Sequence, residues 1–155
     1  VAGGIYTAED IREWIDQGAA GVQMGTRFLA TEESGADEVF KKTLIQSTTD
    51  DVVVATDPGS PCGLPIRLLR TSPRYSNHQT ICKHPHCPLG YVMREGTCSA
   101  LTDPSHSFCI CKGLVDATRS HPGEYPLYTV GANASRVDKI VSVQELMNEL
   151  TAESA

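Results

Sequence analysis

Gly21-Val22-Gln23-Met24-Gly25-Thr26-Arg27-Phe28 decides the reading of this chain, together with Val1-Ala2-Gly3-Gly4-Ile5 at its start. Each is a short apolar run with glycine at its end, and one helix-like segment separates them. Glycine lets backbone N–H groups approach an anion, because no Cβ intervenes and positive φ is open to it. Two such loops side by side suit a phosphate, although tight strand-to-helix turns would use the same glycines. Thr26 adds a hydroxyl donor beside its own N–H.

Between the motifs, residues 7–17 predict a helix. Thr7 stands as N-cap with Asp10 completing a Thr-x-x-Asp capping pattern, and Gly18 suits a left-handed helix end. Ile11, Trp14 and Ile15 form an i, i+3, i+4 stripe that places Trp14 in the core. Residues 20–24 then read as a short apolar strand running into Gly25-Thr26. Strand end, loop, helix, strand, loop is one α/β step of a parallel sheet or barrel. Downstream, residues 36–47 predict a second amphipathic helix, Val52-Val53-Val54-Ala55 an extended segment, and residues 57–65 a break in regular structure. Residues 66–128 read as irregular apart from a helix-like 109–117. Ser142-Val143-Gln144-Glu145 is a capping box that opens a helix over 143–152.

The 155 residues suffice for one domain with an ordinary core. A net charge of −6 and the lack of a basic stripe argue against nucleic-acid and anionic-lipid partners. No apolar run approaches the roughly 20 residues of a membrane span, and no signal-peptide pattern is present. The first 57 residues contain no cysteine and look like a cytosolic α/β protein, so a reducing, cytoplasmic setting is expected.

Cys62 stands apart from the other cysteines. Cys82, Cys87, Cys98, Cys109 and Cys111 fall in one stretch, with His78, His84, His86, His106 and His121 in or beside it. Zinc or an iron–sulfur cluster could be held there through Cys82, Cys87, Cys98 and Cys109. The spacing contains no Cys-x-x-Cys pair, and the plainer reading is reduced thiols packed as small apolar groups.

The wording of the glycine motifs carries further. Ala2-Gly3-Gly4-Ile5, with the run from Gln23 through Gly25-Thr26-Arg27-Phe28-Leu29-Ala30-Thr31-Glu32-Glu33-Ser34, resembles the end of the barrel in the nitronate monooxygenase (2-nitropropane dioxygenase) family. That family is similar to the flavin-dependent enoyl-acyl-carrier-protein reductases. The resemblance continues through Gly63-Leu64-Pro65-Ile66-Arg67, Gly131-Ala132-Asn133-Ala134-Ser135-Arg136-Val137 and Ile140-Val141-Ser142-Val143, covering residues 1 to about 70 and 128–152. It implies an α/β fold, the last two βα units of a (β/α)₈ TIM barrel, followed by a loop-rich Cys/His segment and a C-terminal helix. The corresponding parts are residues 1–57, 58–128 and 129–155. It also implies FMN as cofactor, with its phosphate held by Gly3, Gly4, Gly25 and Thr26 and with Ala2, Gln23 and Met24 close by. Val1 would end strand seven and residues 20–24 would be strand eight, so about six strands would precede Val1. The family's catalytic histidine would lie among them, and no residue here is assigned a catalytic role.

The implied activity is FMN-dependent oxidoreduction of a small molecule, either an alkyl nitronate oxidised with O₂ or NAD(P)H as hydride donor. By itself a chain with two barrel strands is expected to bind FMN poorly or not at all and to be inactive. Two other readings stand beside this one: a metal-binding or interaction module over 62–121, and an inosine-monophosphate dehydrogenase-like phosphate-binding barrel. The Gln23–Ser34 run speaks against the latter. Arg27 could pair with a phosphate or with a carboxylate. Asn133 and Arg136 are expected to dock the C-terminal segment or reach the flavin face, and Glu32 and Glu33 read as a solvated turn.

Overall fold

The computed structural model describes residues 1–78 and 98–152. Helix α1 (Ala8–Asp16) forms where the sequence predicts it. The Thr7 hydroxyl accepts the Asp10 N–H, and the Asp10 carboxylate accepts from the Thr7 and Tyr6 N–H groups at 2.9 and 2.7 Å. Those bonds, led by the one from Thr7, hold the Asp10 carboxyl below the usual carboxylate range. Gly18 ends the helix at φ +93°, and its N–H donates to the Ile15 carbonyl at 2.9 Å. The apolar stripe is only partly covered. Ile11 packs against Val141, Leu146 and Leu150, while Trp14 and Ile15 are 38% and 44% exposed. Trp14 is therefore not a core residue: the C-terminal helix covers one narrow side of α1, and Trp14 lies beyond it.

The strand expected over 20–24 is reduced to one parallel bridge, Ala2 to Gln23, with the Gln23 N–H donating to the Val1 carbonyl at 2.7 Å. Two short parallel segments have little stability of their own, so the ladder stops there. Helices α2 (Thr26–Leu29) and α3 (Glu38–Ile45) follow. Asp37 caps α3 by accepting the Val39 N–H at 2.9 Å. Phe40 and Leu44 turn inward, and Phe40 stacks on Tyr128 with ring centroids 4.5 Å apart.

Strand β1 (Val52–Ala55) pairs antiparallel with β2 (Ile66–Leu69), in the register Val52 to Leu69 and Ala55 to Ile66. β2 lies within the stretch read as irregular, because four residues directly after a proline-rich break are too few to show a period of two. Residues 127–130 run along its other edge: the Leu69 N–H donates to the Tyr128 carbonyl at 2.9 Å, and the Val130 N–H to the Arg67 carbonyl at 3.2 Å. Two apolar clusters lie against this sheet. Ala30, Phe40, Leu44, Leu69, Tyr128 and Val137 belong to one, and Ala55, Leu68, Phe108 and Leu127 form the other.

Helices α4 (Pro73–Ser76), α5 (Ser99–Thr102) and α6 (Ile110–Asp116) complete the middle of the described chain. α4 and α6 are joined by a buried ion pair, Arg74 to Asp116 at 2.9 Å with both side chains 3% exposed. Lys112 also reaches Asp116.

The C-terminal segment holds a 3₁₀ turn (Ala134–Arg136) and helix α7 (Val143–Thr151). The Ser142 hydroxyl accepts the Glu145 N–H at 3.1 Å, but the reciprocal half of the expected capping box is replaced. Glu145 pairs with Lys139 at 3.0 Å, and Glu33 accepts the Val143 N–H at 2.9 and 3.0 Å. Glu33 is thus a long-range cap of α7 rather than a turn residue directed only at solvent. No described helix is long and apolar enough to cross a membrane.

Candidate functional site

Both glycine motifs open onto one cleft of about 430 Å³, whose far wall is formed by residues 129–133. Gly3 and Gly4 stand at φ +88° and +76°, a region costly for residues with a Cβ. A Cβ placed on Gly3, Gly4 or Gly25 would meet nothing within 4 Å, so the space above these residues is open. Among the described residues, no hydrogen bond uses the N–H groups of Gly3, Gly4, Gly25 or Thr26. The Thr26 hydroxyl accepts the Gly131 N–H at 2.6 Å, which leaves its own hydrogen free to donate. Across the cleft, the Asn133 amide donates to the Gly4 carbonyl at 2.6 Å.

The charged groups nearby are engaged elsewhere. Arg27 lines the cleft, but its guanidinium forms a two-bonded pair with Glu149 at 2.7 and 2.8 Å and donates to the Tyr6 carbonyl at 3.0 Å. The hydrogen bond with Glu149 raises the Arg27 pKa and lowers that of Glu149. Of the two partners open to Arg27, the carboxylate is therefore the one it has. Tyr6 lies between two cations, with Arg27 4.5 Å and Arg136 4.0 Å from its ring centroid, and its hydroxyl donates to the Arg136 carbonyl at 2.6 Å. Asn133 and Arg136 thus fasten the C-terminal segment to the first loop. The N–H groups at the start of α1 are not open to the cleft, because Asp10 already takes up those of Tyr6 and Thr7.

Of the expected cofactor contacts, Gly3, Gly4, Gln23, Met24, Gly25 and Thr26 line the cleft. Ala2 is not among the lining residues; it is engaged in the bridge to Gln23. Ile5, Tyr6 and residues 129–132 join the site without having been singled out for it, while Asn133, weighed for docking or for the flavin face, lines it as well. Gly131 carries the clearest structural reason for its identity, since a Cβ there would stand 2.9 Å from the Thr26 hydroxyl oxygen.

The suggested thiolate set divides. Cys82 and Cys87 lie outside the described residues, as do His84 and His86. Cys98 is buried at the start of α5, and Cys109 is half-buried at the start of α6. Among the described residues, no group of three or more His, Cys, Asp or Glu side chains could hold a metal ion. A second, smaller cleft of about 270 Å³ lies between residues 56–65 and 99–107, with His106 paired to Asp57 at 2.7 Å beside it.

Comparison with known proteins places the chain in a family. A family model for nitronate monooxygenase matches residues 1–153. Over 70 residues the chain is 40% identical to the (3aS,4S,5R,7aS)-5-hydroxy-7a-methyl-1-oxo-octahydro-1H-indene-4-carboxyl-CoA dehydrogenase of Mycobacterium tuberculosis, a match over 45% of this chain and 19% of that protein. Over 53 residues it is 45% identical to a probable nitronate monooxygenase of Staphylococcus haemolyticus, covering 34% of this chain and 15% of the relative. The chain therefore spans only a small part of the curated relatives it matches. Among solved structures it is similar to FabK from Thermotoga maritima, with a TM-score of 0.64 and 26% identity over 96% of this chain and 41% of that one. The fold is accordingly α/β and similar to part of FabK, and the match over nearly its whole length makes this chain a member of an oxidoreductase family, the nitronate monooxygenases.

Proposed function

We propose that the glycine cleft holds the phosphate of FMN, at the last two βα loops of a (β/α)₈ barrel, in an enzyme that oxidises alkyl nitronates with O₂. NAD(P)H as the electron donor is the alternative chemistry for the same site. One observation carries this reading: the four N–H groups of Gly3, Gly4, Gly25 and Thr26, and the Thr26 hydroxyl, border one cleft and donate to no other described residue. A phosphate monoester offers only acceptors to such a set, and each hydrogen bond to a charged oxygen contributes roughly 1.5–3 kcal/mol. The open space above Gly3, Gly4 and Gly25 fits the group, since a side chain at any of them would project into it. The family's dependence on flavin points the same way. When bound, the flavin supplies the electron-transfer chemistry. What this chain's residues contribute is binding and orientation: backbone donors at the phosphate, the Thr26 hydroxyl beside them, and a wall fixed by Tyr6, bonded to the Arg136 carbonyl, and Arg27, paired with Glu149 of α7. No proton-transfer step is assigned to any of these residues.

Fluorescence titrations of the chain with FMN and with riboflavin, which lacks the phosphate, test the reading. FMN should bind weakly yet at least about tenfold more tightly than riboflavin, a difference of about 1.4 kcal/mol. Equal affinities would remove the phosphate from the cleft.

A further inference from the structure

We propose that Gly131 and Asn133 are positioning residues that make the glycine cleft select a phosphate monoester dianion, acting through Thr26 and Gly4. This rests on the reading of the cleft as the FMN phosphate site and assigns the source of its selectivity to a segment that arrives from the other end of the chain.

A threonine hydroxyl can donate or accept, so alone it does not discriminate between a ligand that offers donors and one that offers only acceptors. Here the Gly131 N–H, 2.6 Å away, occupies one lone pair of the Thr26 oxygen, and the hydroxyl donates to no described residue. Its hydrogen is left for whatever enters the cleft. With one of its two lone pairs taken and its hydrogen open, the hydroxyl is biased towards donating, which favours an oxyanion that has no hydrogen to give. The close approach needs a residue without a side chain, because a Cβ on Gly131 would come within 2.9 Å of the same oxygen.

Asn133 acts on the other loop. Gly3-Gly4 is an exposed bend of two positive-φ residues, and glycine loses the most backbone freedom on being fixed. The Asn133 amide, 129 residues away in sequence, donates to the Gly4 carbonyl at 2.6 Å. That bond fixes the plane of the Gly4–Ile5 peptide, which carries the Ile5 N–H, and so anchors the far end of the Gly3-Gly4 bend. It also keeps a carbonyl oxygen, which would repel an anion, engaged with Asn133. The segment carrying both residues is itself held, by the Val130 N–H on the Arg67 carbonyl and the Ala134 N–H on the Gly131 carbonyl, both at 3.2 Å.

The experiment compares the FMN-over-riboflavin preference of the wild-type chain with that of Asn133→Ala, Gly131→Ala, Thr26→Val and Thr26→Ser. Asn133→Ala, Gly131→Ala and Thr26→Val should each lower the preference about tenfold, with riboflavin affinity unchanged, while Thr26→Ser stays within about twofold of wild type. Unchanged riboflavin affinity separates positioning from general damage. Circular dichroism checks folding, and if Gly131→Ala does not fold, Asn133→Ala decides alone. Should Thr26→Val lose the preference while folded Asn133→Ala and Gly131→Ala keep it, this inference is wrong and the phosphate site stands. A wild-type chain with no preference would overturn both.

Discussion

The glycine cleft and the smaller cleft at residues 56–65 and 99–107 are built from similar materials and differ in what their polar groups are doing. In the smaller one, the Ser60, Ser99 and Ser107 hydroxyls all donate to backbone carbonyls, of Leu64, Pro61 and Gly59 respectively. Its charged pair, His106 and Asp57, stands mostly in solvent. In the glycine cleft, four N–H groups and a hydroxyl have acceptors nowhere among the described residues, and the backbone that carries them is held from outside by Gly131 and Asn133. Polar groups that are mutually satisfied hold a fold together. Donors arranged on one cavity and left open are available to a ligand. The difference predicts that substitutions around the satisfied groups lower stability, whereas a substitution at Gly25, which is not held at positive φ, lowers ligand selectivity and leaves stability nearly alone.

The largest effect should come from the satisfied side. Arg74→Ala leaves Asp116 buried with only the half-exposed Lys112 beside it, and should cost about 3–5 kcal/mol in urea unfolding. A shift below 1 kcal/mol would mean that buried pairing does little for this region. Next, Gly25→Ala sharpens the contrast directly. Gly25 has negative φ, and its Cβ would meet nothing, so stability should change by less than about 0.5 kcal/mol. Gly25 nevertheless lines the cleft, and a methyl there should lower the preference for FMN over riboflavin by about tenfold, or about 1.4 kcal/mol. Large destabilisation with retained preference would reverse the assignment.

A smaller change is expected at α7, where Ser142→Ala removes the N-cap and should cost about 1 kcal/mol in the same unfolding assay. The smallest belongs to His106. The hydrogen bond to Asp57, and then its charge, raise the His106 pKa above the ordinary histidine value, with Asp103 adding to the effect. A pKa raised by folding means the stabilisation is complete below the unfolded-state value and is lost as pH rises through the folded one. His106→Asn should remove that slight pH dependence of the thermal midpoint, and proton NMR of the ring should titrate above the ordinary value. Titration at or below that value would exclude the pairing.

Much of this was legible locally. α1, α3, β1 and α7 follow from caps and periodicity within a dozen residues, and Gly3, Gly4, Gly25 and Thr26 stand out because few residue types suit an anion-binding backbone. The rest depended on contacts that no local pattern encodes. Gly131 meets Thr26 across 105 residues, and Glu33 caps α7 across 110. Trp14 followed the helical period correctly but faces a side that α7 does not cover. β2 was hidden by its brevity. β1 and β2 pair across residue 57, where the first of the three parts implied by the resemblance was expected to end.

The most direct measurement of the central claim is a map of backbone amide shifts in the isotope-labelled chain as FMN and then riboflavin are added. FMN should move the amides of Gly3, Gly4, Gly25 and Thr26, and riboflavin at the same concentration should leave them in place. Shifts that are equal for the two ligands, or that gather around residues 56–65 and 99–107 instead, would contradict the account.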